Sequence, residues 1–174
     1  MSRRTPLALL LLLAAAPAGA AELSITAPPG YVLTPMAPSG EQKARFSLRR
    51  PPEADTTCQI AYVPAPQNAR MTQEQINALV RSPGWQNVER ARLLDRYQIL
   101  ALTPTEVKGR TALEVVADFR PRDGLPERAL QVRSYFALIE TPAGRTTTVC
   151  VAEKAQFEAR QAEFRSILQG LSPP

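Results

Sequence analysis

Two cysteines constrain the fold of this chain more than any other pair of residues. Cys58 and Cys150 are its only thiols, and each sits in a strand-like run, TTCQIAYV and TTTVCVAE, rich in β-branched side chains. An even count with no C-x-x-C spacing argues for one structural disulfide rather than a redox centre or a zinc site. A bond between positions 58 and 150 places two strands far apart in sequence side by side. In the chain-entropy model it constrains the unfolded state by about 4 to 5 kcal/mol. Two free buried thiols are the alternative.

The disulfide requires an oxidising compartment, and the first twenty residues supply the route to one. Ser2-Arg3-Arg4 precede an apolar run from Leu7 to Ala16, then Pro17-Ala18-Gly19-Ala20. A basic start, an apolar core and small residues at −3 and −1 form a secretory signal peptide with cleavage near Ala20. The run of about 10 residues is half the length a membrane span needs. The expected organisation is a signal peptide over residues 1–20, an extended arm with no packing of its own over 21–30, and a single domain over 31–174. The expected location is periplasmic or secreted. No cysteine follows the leader directly, so a lipid anchor is not expected, and no later segment has the length of a span.

The formal charge of +5, from 21 Lys+Arg against 16 Asp+Glu, falls to +3 once Arg3 and Arg4 leave with the leader. The excess is carried by arginine, since Lys43, Lys108 and Lys154 are the only lysines. Exported proteins rarely meet nucleic acid, so none is expected as a partner. A protein in the cell envelope is the expected partner, with peripheral contact to an anionic membrane surface as a secondary one. A solvated mixed-charge surface is the plain alternative.

Along the chain, residues 21 to 57 hold Pro28, Pro29, Pro35, Pro38, Pro51 and Pro52 around two short strands, Tyr31–Leu33 and Arg45–Leu48. Proline cannot donate to a ladder, so these strands belong at an edge or in a hairpin. A third strand is expected over Thr57–Val63. Thr72-Gln73-Glu74-Gln75 fits a capping box opening a helix with Ile76, Leu79 and Val80 on one stripe. Pro83-Gly84 is expected to stop it, with Trp85 after the break and a further short turn over Val88–Leu94. A meander follows: a strand over Tyr97–Thr103, a turn at Lys108-Gly109-Arg110, and an alternating strand over Thr111–Arg120. After a loop to Pro126 come strands over Leu130–Glu140 and Thr146–Ala152. The last helix carries Phe157, Phe164, Ile167, Leu168 and Leu171 on one side and Glu158, Arg160, Glu163 and Arg165 as its polar residues, ending near Gly170 and Pro173-Pro174. The fold class is α+β: an antiparallel sheet of six or seven strands sandwiched between helices, closed by a long C-terminal helix.

This order, with Val107-Lys108-Gly109-Arg110-Thr111-Ala112 at one turn, Tyr135-Phe136-Ala137-Leu138 and Thr148-Val149-Cys150 on adjoining strands, and Phe157 to Leu171 as the closing helix, resembles the PsbP-like (Mog-type) fold. The pattern spans residues 31 to 171. That group includes the extrinsic PsbP subunit of photosystem II, a nuclear-transport factor that binds a small GTPase, and many exported bacterial proteins. The resemblance implies the architecture and no site residues.

Many chemistries lack their reagents. With no histidine in the chain, Ser-His-Asp and Cys-His catalysis are excluded, and with both thiols oxidised so are thiolate nucleophiles. A zinc or copper site is not expected, and neither is any cofactor. Glu114 and Asp118 share a strand face about 13 Å apart, wide for an acid–base pair, and are expected at a solvated or arginine-paired surface. Asp118 to Gly124 lacks the ligand spacing of a calcium loop. No glycine-rich phosphate loop is present. What remains is contact chemistry. Trp85 with Arg90, Arg92 and Arg96, and Arg120 with Arg122 and Arg128, are candidate interface residues, because Trp and Arg dominate binding hot spots. The competing reading places Trp85 at one end of the core. The function expected is a non-catalytic envelope interaction module, an accessory subunit or assembly factor of a complex such as a membrane-associated oxidoreductase. The alternative is a small-molecule or lipid carrier with a pocket between sheet and helix, near Phe119 and Phe136. A hydrolase working with carboxylates alone is the remaining class.

Overall fold

In a computed structural model the described residues are 22–53 and 57–174. The signal peptide expected over 1–20 lies outside them. Seven antiparallel strands form one sheet: β2 (Val32–Pro35), β3 (Ala44–Arg49), β4 (Cys58–Pro64), β5 (Tyr97–Val107), β6 (Arg110–Phe119), β7 (Val132–Glu140) and β8 (Gly144–Glu153). Their spatial order is β2-β3-β4-β8-β7-β6-β5. Two meanders, one from each half of the chain, therefore meet where β4 pairs with β8. Cys58 lies directly opposite Cys150 at that seam, joined by a disulfide with Cα atoms 4.0 Å apart. The Val151 N–H donates to the Thr57 carbonyl, which makes the neighbouring cysteine pair a non-hydrogen-bonded one, where facing Cα atoms come closest. The staple thus joins the strands that hold the two halves of the sheet together.

Both faces of the sheet are covered, and the period of two in the strands sorts residues between them. Tyr135, Ala137 and Ile139 of β7 point into one core, together with Ile60, Cys58 and Cys150. Phe136 and Leu138 of β7 point into the other, with Leu113, Val115 and Ala117 of β6. The first core is closed by α3 (Phe157–Gln169) through Phe157, Phe164, Ile167 and Leu168. The second is closed by α1 (Gln73–Arg81), with Ile76 and Val80, and by α2 (Pro83–Leu94). A helix-covered sheet explains why β7 is buried along nearly its whole length.

Local signals set the element ends. Thr72 Oγ1 accepts from the Gln75 N–H (3.3 Å) while Gln75 Oε1 accepts from the Thr72 N–H (2.8 Å), a complete capping box. Lys108 and Gly109 form a two-residue hairpin turn with φ of 50° and 75°, the left-handed pair that matches strand twist. β5 runs to Val107, beyond the Thr103 expected. As the edge strand it accommodates Pro104, whose missing donor costs no ladder bond there.

Three expectations are corrected. Pro83 does not merely stop a helix; it begins the next one. Ser82 closes α1 and caps α2, its Oγ accepting from the Trp85 N–H at 3.3 Å, and Pro83 occupies the first turn, where its missing donor has no intrahelical partner to lose. Trp85 is consequently inside α2, which continues unbroken to Leu94. The segment from Glu22 is extended but not free. β1 (Ser24–Ile25) pairs with β9 (Leu171–Ser172), Leu23 is buried, and the Thr26 N–H donates to Gly170. Position 170 must be glycine for this, since a Cβ there would strike the Thr26 carbonyl. Lastly, Arg160 is not on the solvated side of α3. It lies three residues after Phe157 and four before Phe164, on the apolar stripe itself, and is 5 % exposed. Glu53 at 2.6 Å, the Tyr31 hydroxyl and Glu163 satisfy it.

Candidate interaction groove

A concavity of about 820 Å³ opens between α1–α2 and the chain leaving β4. Its helix wall is Ile76, Leu79, Trp85 and Val88, and its opposite wall runs from Val63 to Pro66. Leu79 and Val88 are exposed large apolar side chains on the rim. Helical spacing aligns them: Trp85, Val88 and Glu89 occupy successive turns of α2, so the tryptophan and one carboxylate face the same space.

The groove floor is a charge network. Glu89 on α2 and Glu140 at the end of β7 are buried, at 4 % and 5 % exposure, and Arg145 on β8 lies between them. Its Nη2 donates to Glu89 Oε1 at 2.7 Å and its Nη1 to Oε2 at 3.2 Å, while its Nε is paired with Glu140. Arg92 Nη1 adds a third bond to Glu89 (2.8 Å), and Asn68 Nδ2 donates to Glu140 (3.1 Å). Burial works against the Arg145 charge, but the two carboxylates outweigh it and raise its pKa. The same guanidinium stands 5.8 Å from the Trp85 ring centroid. Every carboxylate oxygen here holds a donor, so this floor orients α2 on the sheet and leaves no free base.

The two carboxylates on β6 are occupied in the same way. Glu114 is buried, and Arg165 donates to its Oε2 from Nη2 (2.9 Å) and Nε (3.0 Å) and to its Oε1 from Nε (3.3 Å). Asp118 is paired with Arg133 (2.9 Å) and Lys154 (3.2 Å). Burial pushes the Asp118 carboxyl up, yet its two cationic partners outweigh burial and hold it below the usual range. Tyr135 is pushed up by burial, with the nearby Glu114 charge adding to it. Among the described residues no group of three or more potential ligands could hold a metal ion, and no helix is long and apolar enough to cross a membrane.

The candidate interface residues divide. Trp85 is half-buried against the second core and still lines the groove, so the two readings of it meet in one position. Arg92 joins the groove through Glu89. Arg90 is exposed on α2. Arg96, Arg120 and Arg122, from two separate segments, gather at the far end of α2, whereas Arg128 is paired with Glu153. Sequence reasoning missed Glu89, Glu140, Arg145 and Asn68. Only Glu89 carried a signal, a charge four residues after Trp85 on the apolar side of a helix. The space near Phe119 and Phe136, where a carrier's pocket was expected, is filled: the Tyr97 ring packs on them at 4.6 and 5.1 Å between centroids. A second concavity of about 590 Å³ lies instead beside Leu23, Phe46 and Tyr62.

No family model matches the sequence, and no curated protein does. Among solved structures, the solution structure of cyanobacterial PsbP from Synechocystis is similar, with a TM-score of 0.52 at 10 % identity, covering 94 % of this chain and 99 % of that one. A Pseudomonas aeruginosa protein of unknown function matches with a TM-score of 0.42 at 13 % identity, over 91 % of this chain and 89 % of that one. At these identities the likeness is one of architecture, and in architecture this chain is PsbP-like.

Proposed function

We propose that this chain is an exported, non-catalytic interaction module, an accessory subunit or assembly factor of a larger cell-envelope complex such as a membrane-associated oxidoreductase. The observation that carries the reading is the groove: an open trough walled by Trp85, Leu79 and Val88 above a floor whose carboxylates are all engaged. A tryptophan flanked by exposed aliphatic side chains is the composition of a docking anchor. The leader-like sequence over residues 1–20 and the single disulfide support an oxidising compartment.

Affinity capture of the tagged protein from the cell envelope tests this. The wild type should recover a stoichiometric protein partner, and Trp85→Ala should lose it. Val88→Glu, which charges an exposed rim position without touching the core, should lose it too while melting like wild type. Recovery of monomer alone, or undiminished capture by both variants, contradicts the reading. The carrier alternative draws on the second concavity, lined by Leu23, Phe46 and Tyr62. Native mass spectrometry of freshly isolated protein distinguishes it, because a carrier retains cargo.

A further inference from the structure

The groove occupies one end of α2, and the other end is cationic. Arg96 follows the helix, and Arg120 and Arg122 follow β6. The chain draws them together: the Arg120 N–H donates to the Arg96 carbonyl at 2.9 Å, and Arg120 Nε donates to the Tyr97 carbonyl at 3.0 Å. Burial raises the Tyr97 pKa, and the charges of Arg96 and Arg122 oppose it. All three arginines are exposed.

None of the three forms an ion pair among the described residues, and the contact between the two segments brings such unpaired charges to one place. Nearby arginines at the same end of the sheet are neutralised, Arg133 by Asp118 and Arg128 by Glu153. Exposed Leu94 stands beside Arg96 at the close of α2. We propose that Arg96, Arg120 and Arg122 form a docking site for a carboxylate-rich segment of a protein partner. It rests on the reading of the chain as an interaction module and adds the chemistry of what it contacts.

Two features select an acidic protein segment over an anionic membrane. Guanidinium forks match carboxylates two bonds at a time, and a cluster of such forks suits that recognition. Polybasic membrane attachment draws on clusters of about 4 to 8 lysines or arginines. Here the exposed trio falls short of that number. The close of α2 at Leu94, two residues before Arg96, lies about 14 Å along the helix from Trp85, within the span of a single partner.

The test uses the mature protein and three probes: a labelled peptide of alternating Glu and Asp, its Gln and Asn counterpart, and vesicles of phosphatidylglycerol with phosphatidylcholine. Wild type should bind the acidic peptide, ignore the neutral one, and release it in high salt. Arg96→Gln/Arg122→Gln should weaken binding about fivefold to tenfold, the sum of two exposed ion pairs. Arg96→Lys/Arg122→Lys should fall between, keeping charge but not the fork. Arg49→Gln/Arg70→Gln, removing two exposed arginines elsewhere, should match wild type. Trp85→Ala should keep peptide binding while losing envelope capture, so a failure of the groove reading is separable from a failure here. Equal losses in the patch and control variants, no binding of the acidic peptide, or tighter binding to vesicles than to peptide overturns the proposal.

Discussion

At the scale of single residues, the buried and half-buried acids Glu89, Glu114, Asp118 and Glu140 are each paired with a basic side chain, and the geometry gives this a pH signature. Asp118 has its pKa held below the ordinary 3.8 by Arg133 and Lys154 despite the opposing effect of burial. A carboxyl with a depressed folded-state pKa contributes stability that is fully present above the unfolded value and is lost as pH falls through the folded value. Denaturant unfolding of wild type should therefore show stability falling as the pH drops through and below the ordinary carboxylate range, and Asp118→Asn should show a shallower fall from a lower starting point at neutral pH. Parallel pH profiles for the two proteins would contradict the role assigned to this pair. Residue scale is also where sequence reading was weakest. Arg160, Glu89 and Glu140 are charged residues inside, and nothing in composition tells a buried charge from a solvated one. Arg160 lay on the apolar stripe of α3 by spacing, and that spacing outweighed its charge because Glu53 comes from elsewhere in the fold, and Glu163 from the next turn of α3, to meet it.

At the scale of elements, turn chemistry and period were the legible part. Lys108-Gly109 and the Thr72 box are local, need no tertiary partner, and stand where the sequence puts them. Pro83 misled because a proline marks a helix boundary without saying on which side the helix lies. The attachment of α2 was not legible, since it depends on Arg145, 56 residues away from Glu89 in sequence. That attachment can be tested. Arg145→Met leaves Glu89 and Glu140 buried with reduced compensation and should cost about 3 kcal/mol in denaturant unfolding. Adding Glu89→Gln and Glu140→Gln to it should recover much of the loss. A change within experimental error in Arg145→Met would mean that packing alone holds α2.

On the whole-molecule scale, the cysteine pair forecast the central feature of the architecture. The two strands it joins, β4 and β8, are where the N-terminal and C-terminal meanders meet, so one covalent bond and one ladder unite both halves of the sheet. The free N-terminal arm did not survive the structure, because Leu23 and the β1–β9 ribbon bind it to the end of the chain. That leaves the exposed side of α2, with the groove at one end and the arginines at the other, as the surface on which the proposed function stands. Trp85 is the only tryptophan, so oxidative footprinting of that single side chain in free and partner-bound protein tests the account most directly. The account predicts that partner binding lowers Trp85 labelling several-fold; unchanged labelling with the partner bound would contradict it.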